Sequence, residues 1–165
     1  TTSIRGMEVK RDGKVIGLMG DLKRGRTVRS LCYLMKNYRD VRLVMIAPKQ
    51  FAIEPDIKAH LREQGIAFVE DLSLSKALPD LDAIYVTRMQ SEWDTAGETG
   101  QVDYRDYSIT PENVGVMKRD AVIMHPLPRG PEIHPAVGMW MRAAILLKLF
   151  QADGLVRNFD LSALQ

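Results

Sequence analysis

The chain reads as an α/β protein, a doubly wound three-layer sandwich on a five-stranded parallel sheet with spatial order 3-2-1-4-5. Two observations predict it. Short apolar runs alternate with stretches of helical periodicity, the pattern of a parallel sheet covered on both faces. The 165 residues, 45% of them hydrophobic, suffice for about one domain with a real core. Right-handed crossovers then leave few topologies, of which this order is the expected one.

Residues 1–14 are polar and punctuated by Gly6 and Gly13, and read as a connector or hairpin. Residues 15–21 are the first buried strand, ending in Gly20-Asp21. After a basic loop over 22–26, Thr27 leads a helix whose apolar positions Val28, Leu31, Cys32, Met35 and Tyr38 follow 3.6-residue spacing. Residues 41–47 form the second strand, ended by Pro48. Pro55 suits the first turn of a second helix, with Ile57 and Leu61 on one face and Gly65 closing it. A third strand over 66–69 and a short helix over 73–78, stopped by Pro79, lead to the fourth strand at 83–87.

Residues 88–108 have no sustained period, and a loop this long in a compact domain is functional or mobile. Thr110-Pro111-Glu112 starts a helix running to about Lys118, with a hydroxyl cap, proline at N1 and an acid in the first turn. The fifth strand covers 121–124. Residues 138–150 are apolar almost all round and predict a buried helix. The chain thus divides into a Rossmann-like domain over 1–150 and a C-terminal tail over 151–165, which packs on that domain or on a partner domain.

The fifth strand runs into Met-His-Pro-Leu-Pro-Arg-Gly, residues 124–130. Two prolines this close cannot continue a strand, because each removes a backbone donor and fixes φ. Leu127-Pro128 is a candidate cis peptide, since an X-Pro bond pays little for that form. The result is a rigid turn offering carbonyl oxygens to a ligand's N–H groups. In the 3-2-1-4-5 order the topological switch lies between strands one and four, and ligands bind outside the carboxyl ends there. Gly20–Thr27, Thr87–Gln90 and His125–Arg129 therefore converge on one edge.

Arg26 and Arg88 at one crevice suggest a ligand with two anionic groups, each held by a bidentate guanidinium fork. Arg26 also sits beside a helix N-terminus, where backbone N–H groups favour an anion. Gln90 can add an amide, and Thr27 and His125 are supporting candidates. The bland fate of each arginine is a surface ion pair. Asp21 and Lys23 are expected to form such pairs and the basic run to be a solvated loop. His60 and His134 read as structural or surface residues, while His125 braces the turn through a hydrogen bond.

Several classes are excluded or weak. A net charge of +2 is too small to argue for nucleic acid. No stretch approaches a membrane span, and the first residues lack the apolar core of a signal peptide, so a cytoplasmic protein is expected. The lone Cys32 excludes a disulfide framework within the chain and behaves as a small hydrophobe. Gly-Leu-Met-Gly-Asp lacks the three-glycine dinucleotide pattern, there is no phosphate-loop lysine motif, and no serine sits on a strand-to-helix elbow.

Taken together, Gly-Asp-Leu-Lys-Arg-Gly-Arg-Thr-Val-Arg-Ser-Leu (20–31), Tyr-Val-Thr-Arg-Met-Gln (85–90) and His-Pro-Leu-Pro-Arg (125–129) resemble the aspartate carbamoyltransferases. The likeness runs from about Val15 to Phe150 and is to the aspartate-binding half of the catalytic chain. It implies that Arg26 and Arg88 hold the two carboxylates of L-aspartate, with Gln90 assisting. Leu127 and Pro128 would present backbone groups to the carbamoyl moiety of carbamoyl phosphate. The implied product is N-carbamoyl-L-aspartate, in pyrimidine synthesis, with no metal or organic cofactor. The family implies a homotrimer with shared sites, and regulatory subunits or fused domains are further partners it allows.

The sequence also departs from the family. Arg29 stands where histidine is usual, and Gly130-Pro131-Glu132 where Val-Asp-Glu is usual. The Ser-Thr-Arg-Thr-type phosphate loop of the first half is not found. At Val137-Gly138 an acidic segment and a Tyr-Phe-Arg-Gln stretch are lacking. The sibling ornithine enzymes carry cysteine where Pro126 stands. A catalytically silent homologue that binds or assembles is the alternative.

Overall fold

A computed structural model of the chain describes residues 13–70 and 73–137. At its centre β1 (Val15–Met19) pairs in parallel with β2 (Arg42–Ile46) on one side and β4 (Ala83–Val86) on the other. β3 (Ala67–Val69) lies beyond β2 and β5 (Val122–Met124) beyond β4. All five strands are parallel in the order 3-2-1-4-5, as the sequence predicts.

Successive side chains of a strand point to opposite faces, and the core divides accordingly. On one face Leu18, Leu43 and Met45 pack with Val28 and Cys32 of α1 (Arg26–Leu34) and with Ile57 and Leu61 of α2 (Pro55–Glu63). On the other, Met19, Val44 and Ile46 pack with α3 (Leu74–Ala77), Leu78, Ile109 and Ile133. Ile57 and Leu61 are fully buried, each such burial stabilising by about 1.5–3 kcal/mol, and Pro55 at N1 starts their helix without losing a bond. Gly65 follows α2 at φ +66°, the left-handed position expected of a helix-closing glycine. Arg29, the residue that departs from the family pattern, is used here to tie α1 to the start of α2 through Glu54 (2.9 Å) and Asp56. Cys32 is fully buried, and its burial pushes the thiol up to about 11, so it is the small hydrophobe expected.

Three boundaries differ from expectation. α1 begins at Arg26, one residue before Thr27. Pro79 does not stop the third helical segment: it sits in the first turn of a 3-10 turn, Leu78–Asp80, where its missing N–H is not needed. The helix expected to reach Lys118 is the single turn α4 (Pro111–Val114). Its start is as predicted, with a reciprocal Thr110–Asn113 capping box at 2.8 and 3.4 Å. Past Gly115 the amides of Val116 and Met117 bond three residues back, so the chain tightens and the α-helix does not propagate.

Residues 88–108 are aperiodic, as expected, and contain three 3-10 turns: Ser91–Trp93, Glu98–Gln101 and Tyr104–Tyr107. The connector expected over 1–14 lies almost entirely outside the described residues, and the helix over 138–150 and the tail over 151–165 lie wholly outside them. Among the described residues no helix is long and apolar enough to cross a membrane.

Candidate functional site

The site begins where β1 leaves the sheet. Gly20 turns the chain at φ +109°, and a Cβ there would stand 2.0 Å from the carbonyl oxygen of Thr87. Only glycine allows so close an approach in that conformation. The Thr87 N–H and hydroxyl both donate to the carbonyl of Met19, at 2.8 and 3.1 Å, fastening the end of β4 to the end of β1.

Beyond that junction the two exit loops are bonded to each other. Asp21 is fully buried, its carboxylate accepting from the N–H of Arg24 at 2.9 Å and of Gln90 at 3.4 Å. Burial pushes its carboxyl above the usual value, against those donors and the Arg24 charge, which pull it down. The Arg24 guanidinium donates to the carbonyl of Gln90 at 2.9 Å and to Asp94 at 2.8 Å, and lies 5.0 Å from the centre of the Phe51 ring. Two expectations are corrected here. The basic run is solvated at Lys23 and Arg26 but not at Arg24, whose side chain is only 16% exposed. Asp21 is not in a surface pair, because the loop folds over it.

Arg26 opens α1 and is exposed with Thr27, and among the described residues it has no carboxylate partner. The first turn of α1 holds no acid, so the helix N-terminus and the exposed Arg26 guanidinium suit an anion. Arg88, by contrast, is engaged by Glu92 through both terminal nitrogens, one bond being 2.8 Å. That is the ion pair offered as its bland fate. Among the described residues Gln90 bonds through its backbone and not through its side-chain amide.

The turn after β5 forms the opposite wall. Leu127-Pro128 is cis, as expected, and Leu127 has φ +62°. His125 Nδ1 accepts from the N–H of Leu127 at 2.9 Å, and its Nε2 stands 2.8 Å from Glu132 Oε1. This defines the neutral tautomer with its proton on Nε2, donating to the carboxylate. Both side chains are enclosed, 2% and 1% exposed. Glu132 Oε1 also accepts from the N–H of Gly130 at 2.7 Å, while Oε2 is buried with no partner among the described residues. Burial pulls this carboxyl upward, yet the donors outweigh it and hold it below the usual range. Past the turn, Ile109 and Ile133 form a parallel bridge, with the Ile109 N–H donating to the Glu132 carbonyl at 2.9 Å.

Between these walls lies a cleft of about 920 Å³. Arg26, Thr27, Arg88, Gln90, His125, Leu127 and Pro128, all named from the sequence, line it together. His60 is elsewhere, its ring 4.3 Å from that of Tyr33, and His134 caps a local turn through the N–H of Ala136. Among the described residues no group of three His, Cys, Asp or Glu is placed to hold a metal ion. The cleft brings the exposed Arg26 and the start of α1 opposite the 125–128 turn, a chemistry for an anionic ligand.

The family described as "Aspartate/ornithine carbamoyltransferase, Asp/Orn binding domain" matches residues 12–148. The chain belongs to this family. Aspartate carbamoyltransferase 1, chloroplastic, of Pisum sativum is 40% identical over 139 residues, covering 82% of this chain and 35% of that protein. Among solved structures, the catalytic subunit of M. jannaschii aspartate transcarbamoylase superposes with a TM-score of 0.69 at 37% identity, over 76% of this chain and 42% of that one. The Trypanosoma cruzi aspartate transcarbamoylase in complex with N-(phosphonacetyl)-L-aspartic acid gives 0.68 at 29% identity, over 76% and 41%. The chain thus spans well under half the length of these carbamoyltransferases.

Within this carbamoyltransferase domain, the residues that sequence reasoning missed are those acting through others. Arg24 lies within residues 20–31, where its charge reads as part of a solvated loop. Glu132 was noted only as part of a departure from the family pattern. Nothing in the sequence alone signals that its carboxylate folds back under the turn to meet His125.

Proposed function

We propose that this domain supplies the aspartate side of carbamoyl transfer from carbamoyl phosphate to L-aspartate, within a longer chain whose other half holds the phosphate. Arg26 and Arg88 take the two carboxylates, Gln90 adds its amide, and the carbonyls of Leu127 and Pro128 accept from the carbamoyl NH₂. The aspartate amine attacks the carbamoyl carbon, the bond from that carbon to the phosphate oxygen breaks, and the amine sheds a proton. N-carbamoyl-L-aspartate and phosphate result. Catalysis comes from holding the two substrates in line and from charge stabilisation, with no covalent intermediate. A trimer with shared sites completes the reading.

The observation that carries it is the placement of Arg26, without a carboxylate partner among the described residues, at the start of α1 across one cleft from the Leu127-Pro128 turn. The Trypanosoma cruzi relative, solved with a compound containing an aspartic acid moiety, supports the ligand class. One observation favours the rival reading of a silent homologue: Arg88 is already occupied by Glu92.

Carbamoyl-aspartate formation by the full-length protein separates the two readings, and Arg88→Lys then tests the site. Lysine keeps the charge but loses the fork. Weakening a close charge contact of this kind costs about 2–5 kcal/mol, so kcat/KM for aspartate is expected to fall on the order of a hundredfold or more with the melting temperature hardly changed. Unchanged aspartate kinetics would remove Arg88 from the site, whereas a full-length protein that forms no N-carbamoyl-L-aspartate is the silent homologue.

A further inference from the structure

Gln90 is gripped by both of its backbone groups. Its N–H donates to Asp21 at 3.4 Å, and its carbonyl accepts from Arg24 at 2.9 Å as well as from the N–H of Trp93 at 3.1 Å. The same Arg24 nitrogen donates to Asp94 at 2.8 Å, and the second lies 3.7 Å from Glu98. Asp94 in turn accepts from the N–H and hydroxyl of Thr99, at 2.9 and 2.7 Å. One guanidinium therefore joins the loop after β1 to three points of the loop after β4, while the Arg24 backbone N–H donates to the buried Asp21 at 2.9 Å. A planar fork backed by an aromatic ring can serve a carbonyl and a carboxylate at once; a lysine ammonium keeps the charge but not the fixed fork or the flat face.

We propose that Arg24 is a positioning residue for the aspartate side of the cleft, fixing through the Gln90 backbone and Asp94 where the Gln90 amide and the segment after Arg88 stand. The proposal rests on the aspartate-site reading above. Arg24 also lines the cleft, but its hydrogen bonds and ion pairs all go to protein groups, so its effect on substrate passes through Gln90. The turn over 125–132 makes none of these contacts, so the carbamoyl side is independent of Arg24.

The test is a double-mutant cycle in the full-length protein, reading the KM for each substrate, kcat and the melting temperature. Arg24→Ala is expected to raise the aspartate KM about tenfold or more while leaving the carbamoyl phosphate KM within about twofold. Arg24→Lys is expected to recover part of the loss, through its charge against Asp94. In a Gln90→Ala background the Arg24→Ala effect should largely vanish, because the group it positions is gone. A purely structural role would instead lower stability and activity without selecting one substrate, and its effect would persist beside Gln90→Ala. Either that persistence or wild-type aspartate kinetics in Arg24→Ala overturns the proposal. Should Arg24→Ala fail to fold, Asp94→Asn weakens the same join from the other loop and leaves the Phe51 contact intact, and wild-type aspartate kinetics there are equally fatal. If Arg88→Lys and Gln90→Ala are themselves silent, the aspartate-site reading has failed and takes this proposal with it. If they impair aspartate binding and Arg24→Ala does not, only the proposal has failed.

Discussion

The two walls of the cleft are held in place by different physics. On the wall formed after β1 and β4, long side chains reach across from one loop to the other, and charge joins Arg24 to Asp94 and Arg88 to Glu92. Several of these groups touch water, with side-chain exposures of 34% for Arg88 and 46% for Glu92. On the wall formed after β5, a neutral imidazole and an enclosed carboxylate brace a short turn from beneath, bonding its backbone N–H groups directly. Exposed ion pairs are weak, screened by salt and easily re-formed with a new partner. Buried hydrogen bonds are costly to break because nothing replaces them. The Arg88–Glu92 pair on the first wall is therefore the easily exchanged contact, while buried bonds hold the second wall in one shape.

A substitution at the shared root of both loops should erase the difference. Gly20→Ala forces a side chain into a positive-φ position against Thr87, and combines backbone strain with overpacking. A loss of about 3 kcal/mol or more is expected, read as a lower denaturation midpoint in urea. Near-native stability would mean that the ends of β1 and β4 separate more freely than their bonding suggests.

Removing the brace should touch only the second wall. Glu132→Ala leaves the Gly130 N–H and the His125 Nε2–H without their acceptor, at an expected cost of about 2–3 kcal/mol. Glu132→Gln keeps an oxygen for both donors and should cost less than about 1 kcal/mol. Thermal unfolding of the pair separates loss of the acceptor from loss of the charge; equal destabilisation would make the charge the part that matters.

The smallest effect is a titration within the first wall. Asp94 is held below its ordinary value of 3.8 chiefly by the Arg24 hydrogen bond, so its stabilisation is complete above that value and is lost only as pH falls through the lower folded one. Asp21 is pushed above 3.8 by burial, so its contribution has the opposite sign: it is full below 3.8 and lost as pH rises through the folded value. Carboxyl carbon NMR should find Asp21 titrating above 3.8 and Asp94 below it. A reversed order would mean that Arg24 favours Asp21 over Asp94.

The contrast between the walls also accounts for what the sequence made legible. Strand order follows from alternation and handedness, and with it the meeting of three segments at one edge, because these depend on chain direction rather than on side-chain detail. The cis bond at Pro128 was readable because its chemistry is local. The burial of Arg24 and Asp21 is not legible because the loop that covers them lies about 70 positions away and has no periodicity. Helix α4 was overextended for a related reason: Thr110 and Pro111 say where a helix starts, whereas the tighter bonding beyond Gly115 carries no comparable signature.

The sheet tapers. Its inner strands β1 and β2 have five residues each, whereas β3 and β5, at its margins, have three. An unpaired strand is a template on which another chain can add itself, and the grip of that addition grows with each successive backbone bond. Margins of three residues offer such a chain too few rungs to hold. The binding edge at the strand tips can thus remain open to small molecules while the lateral edges resist polymerisation.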